Sequence, residues 1–299
     1  MSQQELLTCF DKRIAGCLLG GALGDAIGAH FEGKPASLGF EIPLDLRVTD
    51  DTQLTLATCE AIVEVGTVQP ERIAQNFVRW FRERRLTGMG ASTLKSLTEL
   101  EAGGHWAMVG ATGEHAAGNG AAMRIAPLAF MLDPNVAADR QTIRDVCRIT
   151  HRHDEAYIGA LAIVRSIRYA MLGKPLQEEL LHELVATLPD SRVRDRLMDV
   201  CHSSLAINEY VSRFSASGYV VDSVPLAILA ALRSTDLLST MQQIVLCGGD
   251  TDTIASMFGQ IYGASVGADL LPTELLNQID SVSLIRETAI RFANTITKL

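Results

Sequence analysis

The stretch Gly16-Cys17-Leu18-Leu19-Gly20-Gly21-Ala22-Leu23-Gly24-Asp25-Ala26-Ile27-Gly28 carries glycine at every fourth position within an apolar helical pattern. Residues four apart lie on one helix face, so Gly16, Gly20, Gly24 and Gly28 form a stripe that another backbone can approach closely. Such stripes also pair helices in membranes, but this run is too short and is interrupted by Asp25, so it belongs in a protein core. Near the other end of the chain, Gly259, Gly263 and Gly267 line one face of a second helical pattern.

Helical periodicity dominates the rest. Ser2-Gln3-Gln4-Glu5 fits a capping box opening a helix that reaches about Ala29. Further helices are expected over 52–65, 70–84, 91–102, 121–131, 140–150, 154–172, 176–187, 191–207, 224–234, 237–246, 251–266, 273–279 and 283–298. A short extended piece is expected near 219–221, but no set of alternating runs supports a sheet. Aromatic residues make up only 5% of the chain, which favours tightly packed helices over a β-sandwich. The expectation is one all-α domain covering residues 1–299.

The net charge of −9 and the lack of a basic stripe argue against binding a nucleic-acid backbone. They leave carboxylates available for hard cations. Six cysteines without a CxxC pair read as free thiols of a reducing compartment. The N-terminus lacks the basic region and cleavage site of a signal peptide, and no apolar run is long enough to span a bilayer. A cytoplasmic monomer with no membrane association is expected.

Thr49-Asp50-Asp51-Thr52-Gln53 places two carboxylates and a hydroxyl at a helix start. Helix capping would account for one of each. Gly248-Gly249-Asp250-Thr251-Asp252-Thr253 repeats the arrangement at the start of a late helix. Were the two helix starts to meet, four carboxylates would converge, and their repulsion would call for cations. Aspartates and threonine hydroxyls form an all-oxygen shell, which suits Mg²⁺ or Mn²⁺ over Zn²⁺. The glycine-bearing segments Thr87-Gly88-Met89-Gly90-Ala91-Ser92 and Gly118-Asn119-Gly120 precede helices, where backbone N–H groups favour anions.

The glycine stripe with Glu32, then Thr49-Asp50-Asp51-Thr52-Gln53, then Gly118-Asn119-Gly120-Ala121-Ala122-Met123-Arg124 with Pro127, then Thr150-His151, and finally Gly248 to Thr253 resemble the ordered signatures of the ADP-ribosylglycohydrolase family. The resemblance spans residues 13–267 and departs at none of the metal-ligand positions. It implies a compact orthogonal helical bundle with a dinuclear Mg²⁺ or Mn²⁺ cleft. The matching ligands are Thr49, Asp50, Asp51, Asp250, Asp252 and Thr253. The implied reaction is hydrolysis of the bond between the anomeric carbon of ADP-ribose and an acceptor: a protein side chain, a small molecule or an acyl group.

Under that reading Glu32, Asp51 and Asp252 are the candidates for proton transfer to and from an attacking water. Gly88, Gly90, Ser92, Gly118, Asn119, Gly120 and His151 are the candidates for holding substrate, with His151 preferred over His153. Asp25 is open to two readings, a buried structural hydrogen bond or a role behind the metal ligands. Arg124 is expected to pair with an internal carboxylate. A nucleotide phosphoesterase with two cations, or a relative that binds ADP-ribose without cleaving it, are the alternatives. The first would need a basic group near phosphorus, and the signature segments offer only Arg124.

Overall fold

The first helix, α1 (Gln3–Ala29), carries the glycine stripe in the computed structural model, which describes residues 3–34 and 40–297. It is followed by α2 (Asp50–Val65), α3 (Pro70–Arg82), α4 (Ala91–Glu101), α5 (Ala126–Ala129), α6 (Ala137–Arg148), α7 (Asp154–Met171) and α8 (Glu178–Thr187). Then come α9 (Arg192–His202), α10 (Ile207–Phe214), α11 (Val220–Arg233), α12 (Leu237–Cys247), α13 (Thr251–Val266), α14 (Thr273–Leu276) and α15 (Val282–Ile296). Among the described residues β-pairing is confined to isolated bridges, such as Gly118 with Tyr219. The fold is an all-α helical bundle. Among the described residues no helix is long and apolar enough to cross a membrane.

The glycine stripe meets the backbone of α13. A Cβ on Gly16, Gly20, Gly24 or Gly28 would lie 2.3, 2.4, 2.0 or 2.4 Å from the carbonyl oxygens of Gly263, Gly259, Ala255 and Thr251 respectively. As α1 advances by one turn its neighbour retreats by one, so the two helices run antiparallel with their main chains in contact. The end of α1 therefore lies beside the start of α13. Thr251 Oγ1 closes the junction by donating to the carbonyl of Gly28 at 2.8 Å, which also accepts from the Phe31 and Glu32 N–H groups as α1 ends. α7 and α11 cover other faces of α13, and α15 packs on α1 and α2. One apolar core runs through these contacts, with Leu23, Ile27, Leu54, Phe258 and Phe292 all fully buried.

Several expected elements differ. The helix expected over 121–131 shrinks to α5. Pro127 has no N–H to give the Met123 carbonyl, which instead accepts from the Gln260 side chain at 2.7 Å. The helix expected to run to residue 207 stops at His202, and a separate α10 follows, with the Glu209 carboxylate accepting from the Ala206 N–H at 2.8 Å. The extended piece at 219–221 is reduced to Tyr219, because α11 already begins at Val220. The Ser2 capping position and Lys298 lie outside the described residues.

Candidate active site

α2 begins on a side chain borrowed from α1. Asp25 is fully buried, and its carboxylate accepts from the Thr49 N–H at 2.9 Å and the Thr52 N–H at 3.1 Å. The hydroxyls of Thr49 and Thr52 donate to it as well, at 2.8 and 2.6 Å. Asp25, together with the Thr49 hydroxyl that accepts from the Asp51 N–H, thus does the capping work that Asp50 and Asp51 would otherwise do. Their carboxylates are left to face a cavity. The Asp50 N–H donates to the Thr87 carbonyl at 2.8 Å, and this contact draws the glycine segment before α4 against the same site.

α13 supplies the opposing wall. Thr253 Oγ1 donates to Oδ2 of Asp51 at 3.2 Å, and the Thr253 N–H donates to Oδ1 of Asp252 at 2.8 Å. The Asn119 side-chain amide donates to Oδ2 of Asp250. Carboxylate oxygens of Asp25, Asp51 and Asp252 lie within 4.8 Å of one another, and so do those of Glu32, Asp250 and Asp252. Asp252 belongs to both groups.

So many carboxylates in a buried volume favour the protonated form. Burial, then Asp250 and Glu32, pushes Asp252 up to about 9. Burial, then Asp25, pushes Asp50 up to about 7, and burial with Asp252 raises Asp51 well above the usual carboxylate range. Burial raises Asp25 to about 6 against the hydrogen bonds from Thr52 and Thr49, and burial with Asp250 raises Glu32. Oδ1 of Asp51 is buried without a hydrogen-bond partner. An orphaned oxygen within an all-oxygen donor set fits hard divalent cations, which would relieve the repulsion. Two acidic groups sharing one aspartate fit a dinuclear site.

Glu32, Asp50, Asp51, Asp250, Asp252 and Thr253 line one cavity of about 260 Å³ together with Gly88, Gly90, Ser92, Gly118, Asn119, Gly120 and His151. Thr49 sits behind this wall as the N-cap of α2. The 118–120 loop lies on the His151 ring, since a Cβ on Gly120 would reach Cε1 at 2.8 Å. His151 Nδ1 is 2.8 Å from the Thr150 hydroxyl, and burial, then Arg124, pushes the imidazole down to about 3. Both effects favour the neutral ring. His153 instead caps α7, accepting from the Glu155 N–H at 3.1 Å. Arg124 departs from expectation. Its buried guanidinium turns to the carbonyls of Gly120, four residues back in the loop, and Val146 of α6, which stand where a carboxylate was expected.

Residues 7–298 match the ADP-ribosylglycohydrolase family. The chain belongs to that family. It is 26% identical over 312 residues to ADP-ribosylhydrolase ARH3 of Xenopus tropicalis, covering 87% of this chain and 89% of that one. It is 24% identical over 282 residues to the ADP-ribosyl-(dinitrogen reductase) glycohydrolase of Rhodospirillum rubrum, covering 90% of each. Identity to the ADP-ribosylarginine hydrolase Tri1 of Pseudomonas putida is 27% over 283 residues, covering 89% of this chain and 74% of that one. A solved chain described as an ADP-ribosylglycohydrolase-related protein complex has a TM-score of 0.79 at 25% identity, covering 96% of this chain and 99% of that chain.

This member of the ADP-ribosylglycohydrolase family has a second, larger cavity of about 760 Å³ beside the first, sharing Gly118 and Gly218 with it. Glu114, His115, His153, Glu155, Arg192 and Tyr219 line it. Apart from His153, which was set behind His151, none of these residues was singled out from the sequence. The available signal was Gly218-Tyr219, a small residue beside an aromatic one where the chain was expected to be extended. Nothing local connects Arg192, at the start of α9, to the carboxylates.

Proposed function

We propose that the chain hydrolyses the bond joining the anomeric carbon of ADP-ribose to an acceptor, using two divalent cations, Mg²⁺ or Mn²⁺. Thr49, Asp50, Asp51, Asp250, Asp252 and Thr253 would hold them. The observation that carries this reading is the convergence of two carboxylate groups on Asp252, next to the unpartnered Oδ1 of Asp51. Bound there, the ions would neutralise the carboxylates and supply Lewis-acid polarisation to substrate oxygens.

The chain's own groups supply the rest. Glu32 stands at the exposed edge of the cluster with a raised pKa, so it is suited to take a proton from the attacking water. Asp51 and Asp252, on the buried side of the cluster, are the other carboxylates suited to that proton. Gly90 precedes α4 with no side-chain cap, so the N–H groups around Ser92 remain for the diphosphate, as do those of Gly118 and Gly120, the Asn119 N–H being taken by the Gly218 carbonyl. With Nδ1 engaged by Thr150, the neutral His151 ring has Nε2 for a substrate oxygen.

The carboxylate cavity is smaller than the about 300–1,000 Å³ of a typical small-molecule pocket. The adjoining cavity, with Tyr219 and Arg192, takes the remainder of the conjugate. Arg124, held by the Gly120 and Val146 carbonyls, is not placed to stabilise charge at phosphorus, which disfavours the phosphoesterase reading. Six free cysteines suit work in the cytoplasm.

The test is a panel of defined conjugates (ADP-ribosyl-arginine, ADP-ribosyl-serine and O-acetyl-ADP-ribose) incubated with Mg²⁺, Mn²⁺ or chelator. Metal-dependent release of ADP-ribose from at least one is expected. No release from any of them overturns the proposal.

A further inference from the structure

Residues 215–219, between α10 and α11, meet the carboxylate cluster through main-chain groups. The Ala216 carbonyl accepts from the Asp250 N–H at 2.8 Å, and the Gly218 carbonyl accepts from the Asn119 N–H at 3.1 Å. Asn119 in turn donates from its side chain to the Asp250 carboxylate. The fit is close. A Cβ on Gly249 would lie 2.1 Å from the Ala216 carbonyl oxygen, and one on Gly218 would lie 3.4 Å from Oδ2 of Asp250.

The loop does not hold this shape by local preference, for Ser215 has φ of 95°, a region that L side chains rarely adopt. It is braced from the far side. The Ser217 hydroxyl donates to Oδ2 of Asp222 at 2.8 Å, while Oδ1 of the same carboxylate accepts from Arg196 at 3.0 Å. The Tyr210 hydroxyl donates to the Asp222 carbonyl at 2.9 Å. The Arg196 guanidinium lies 3.9 Å over the Phe214 ring. The side chains of Arg196 and Asp222 are only 19% and 12% exposed, so solvent and salt screen the pair weakly.

We propose that the Arg196–Asp222 ion pair is a positioning device for the active site. Through Ser217 it fixes the carbonyls of Ala216 and Gly218, and through these it sets the places of Asp250 and Asn119. Neither Arg196 nor Asp222 lines the carboxylate cavity. The inference rests on the reading of that cavity as a divalent-cation site.

Two variants test it. Asp222→Asn leaves one acceptor oxygen for two donors, and Ser217→Ala removes the link to the loop while leaving the Arg196–Asp222 pair, at the further loss of the Tyr219 N–H contact to the same hydroxyl at 3.3 Å. In metal-free protein, amide hydrogen exchange at Asp250 and Asn119 should quicken about tenfold or more in both, while the interior of α13 keeps its protection. Mn²⁺ affinity by calorimetry should fall about tenfold in Asp222→Asn and by a smaller factor in Ser217→Ala. Arg196→Lys should retain more affinity than Arg196→Met. If Asp222→Asn does not fold, Ser217→Ala decides. Unchanged exchange at both amides in Ser217→Ala, with Mn²⁺ affinity within about twofold of wild type, overturns the proposal. A wild-type chain that binds Mn²⁺ but releases no ADP-ribose defeats the functional reading alone. One that binds no Mn²⁺ defeats both.

Discussion

The hydroxyl of Thr253 donates to the carboxylate of Asp51 at 3.2 Å, across 202 residues of chain. Each residue lies in the first turn of its own helix, and each helix start resembles an ordinary cap. They meet because the end of α1 holds both. Asp25 anchors the start of α2, and the Gly28 carbonyl takes the Thr251 hydroxyl at the start of α13. The site's geometry is therefore a property of the contact between α1 and α13.

Gly24→Ala should be among the most damaging small substitutions in the chain. The added methyl would meet the Ala255 carbonyl oxygen at 2.0 Å, and a helix backbone cannot step aside as a side chain can. A loss of about 3 kcal/mol or more in urea denaturation is expected. Gly90→Ala is the control, with φ of −65° and nothing within 4 Å, so its change should stay within about 0.5 kcal/mol. Equal stability of the two variants would refute a backbone contact as the determinant.

Asp25→Asn should weaken the fold and the metal site together. An amide presents one acceptor oxygen to the N–H and hydroxyl groups of Thr49 and Thr52, and its own N–H₂ would confront some of them. The cost should be about 1–3 kcal/mol in thermal or chemical unfolding. Mn²⁺ affinity should fall in the same variant. Wild-type stability would show that α2 finds another cap.

Without metal, stability should decline as pH rises from about 6.5 to about 9. Asp50 and Asp252 are raised from 3.8 to about 7 and about 9, so the folded protein keeps protons there that the unfolded chain has lost. The stability this contributes is complete below the unfolded value and is lost as pH climbs through the folded ones. His151, lowered from 6.5 to about 3, acts in the opposite sense only below this window. The decline should be on the order of 1–2 kcal/mol, and saturating Mn²⁺ should abolish or reverse it. Melting curves in chelator and in Mn²⁺ across this range provide the check; a midpoint that climbs in chelator would contradict the carboxylate account.

Asp252→Asn separates stability from activity. It removes the carboxylate common to both groups, so turnover should fall by more than the about 10–100-fold typical of residues that only support a ligand. The same change replaces a carboxyl that burial and Asp250 hold protonated when the unfolded chain would ionise it, so metal-free stability at pH 8 should equal or exceed that of the wild type. Near-normal hydrolysis by this variant would sink the proposed chemistry.

Periodicity and residue type were enough to read the helices around the core, the glycine stripe, and both Asp/Thr helix starts. These are legible because a buried face imposes its spacing on the local sequence. Tertiary structure alone decided which acceptor satisfies which donor. Asp25 of α1 joins Thr49 in capping α2; the Gln260 side chain donates to the Met123 carbonyl that Pro127 leaves without a helical donor; and Ala216 receives the Asp250 N–H. The larger cavity with Tyr219 and Arg192 also arises only when α7, α9 and the 215–219 loop come together. A hydrogen bond between residues far apart in the chain needs only a matching donor and acceptor at the right place. It leaves no periodic trace in either segment, so the stripe marked where two backbones could touch, and the fold determined what that contact holds together.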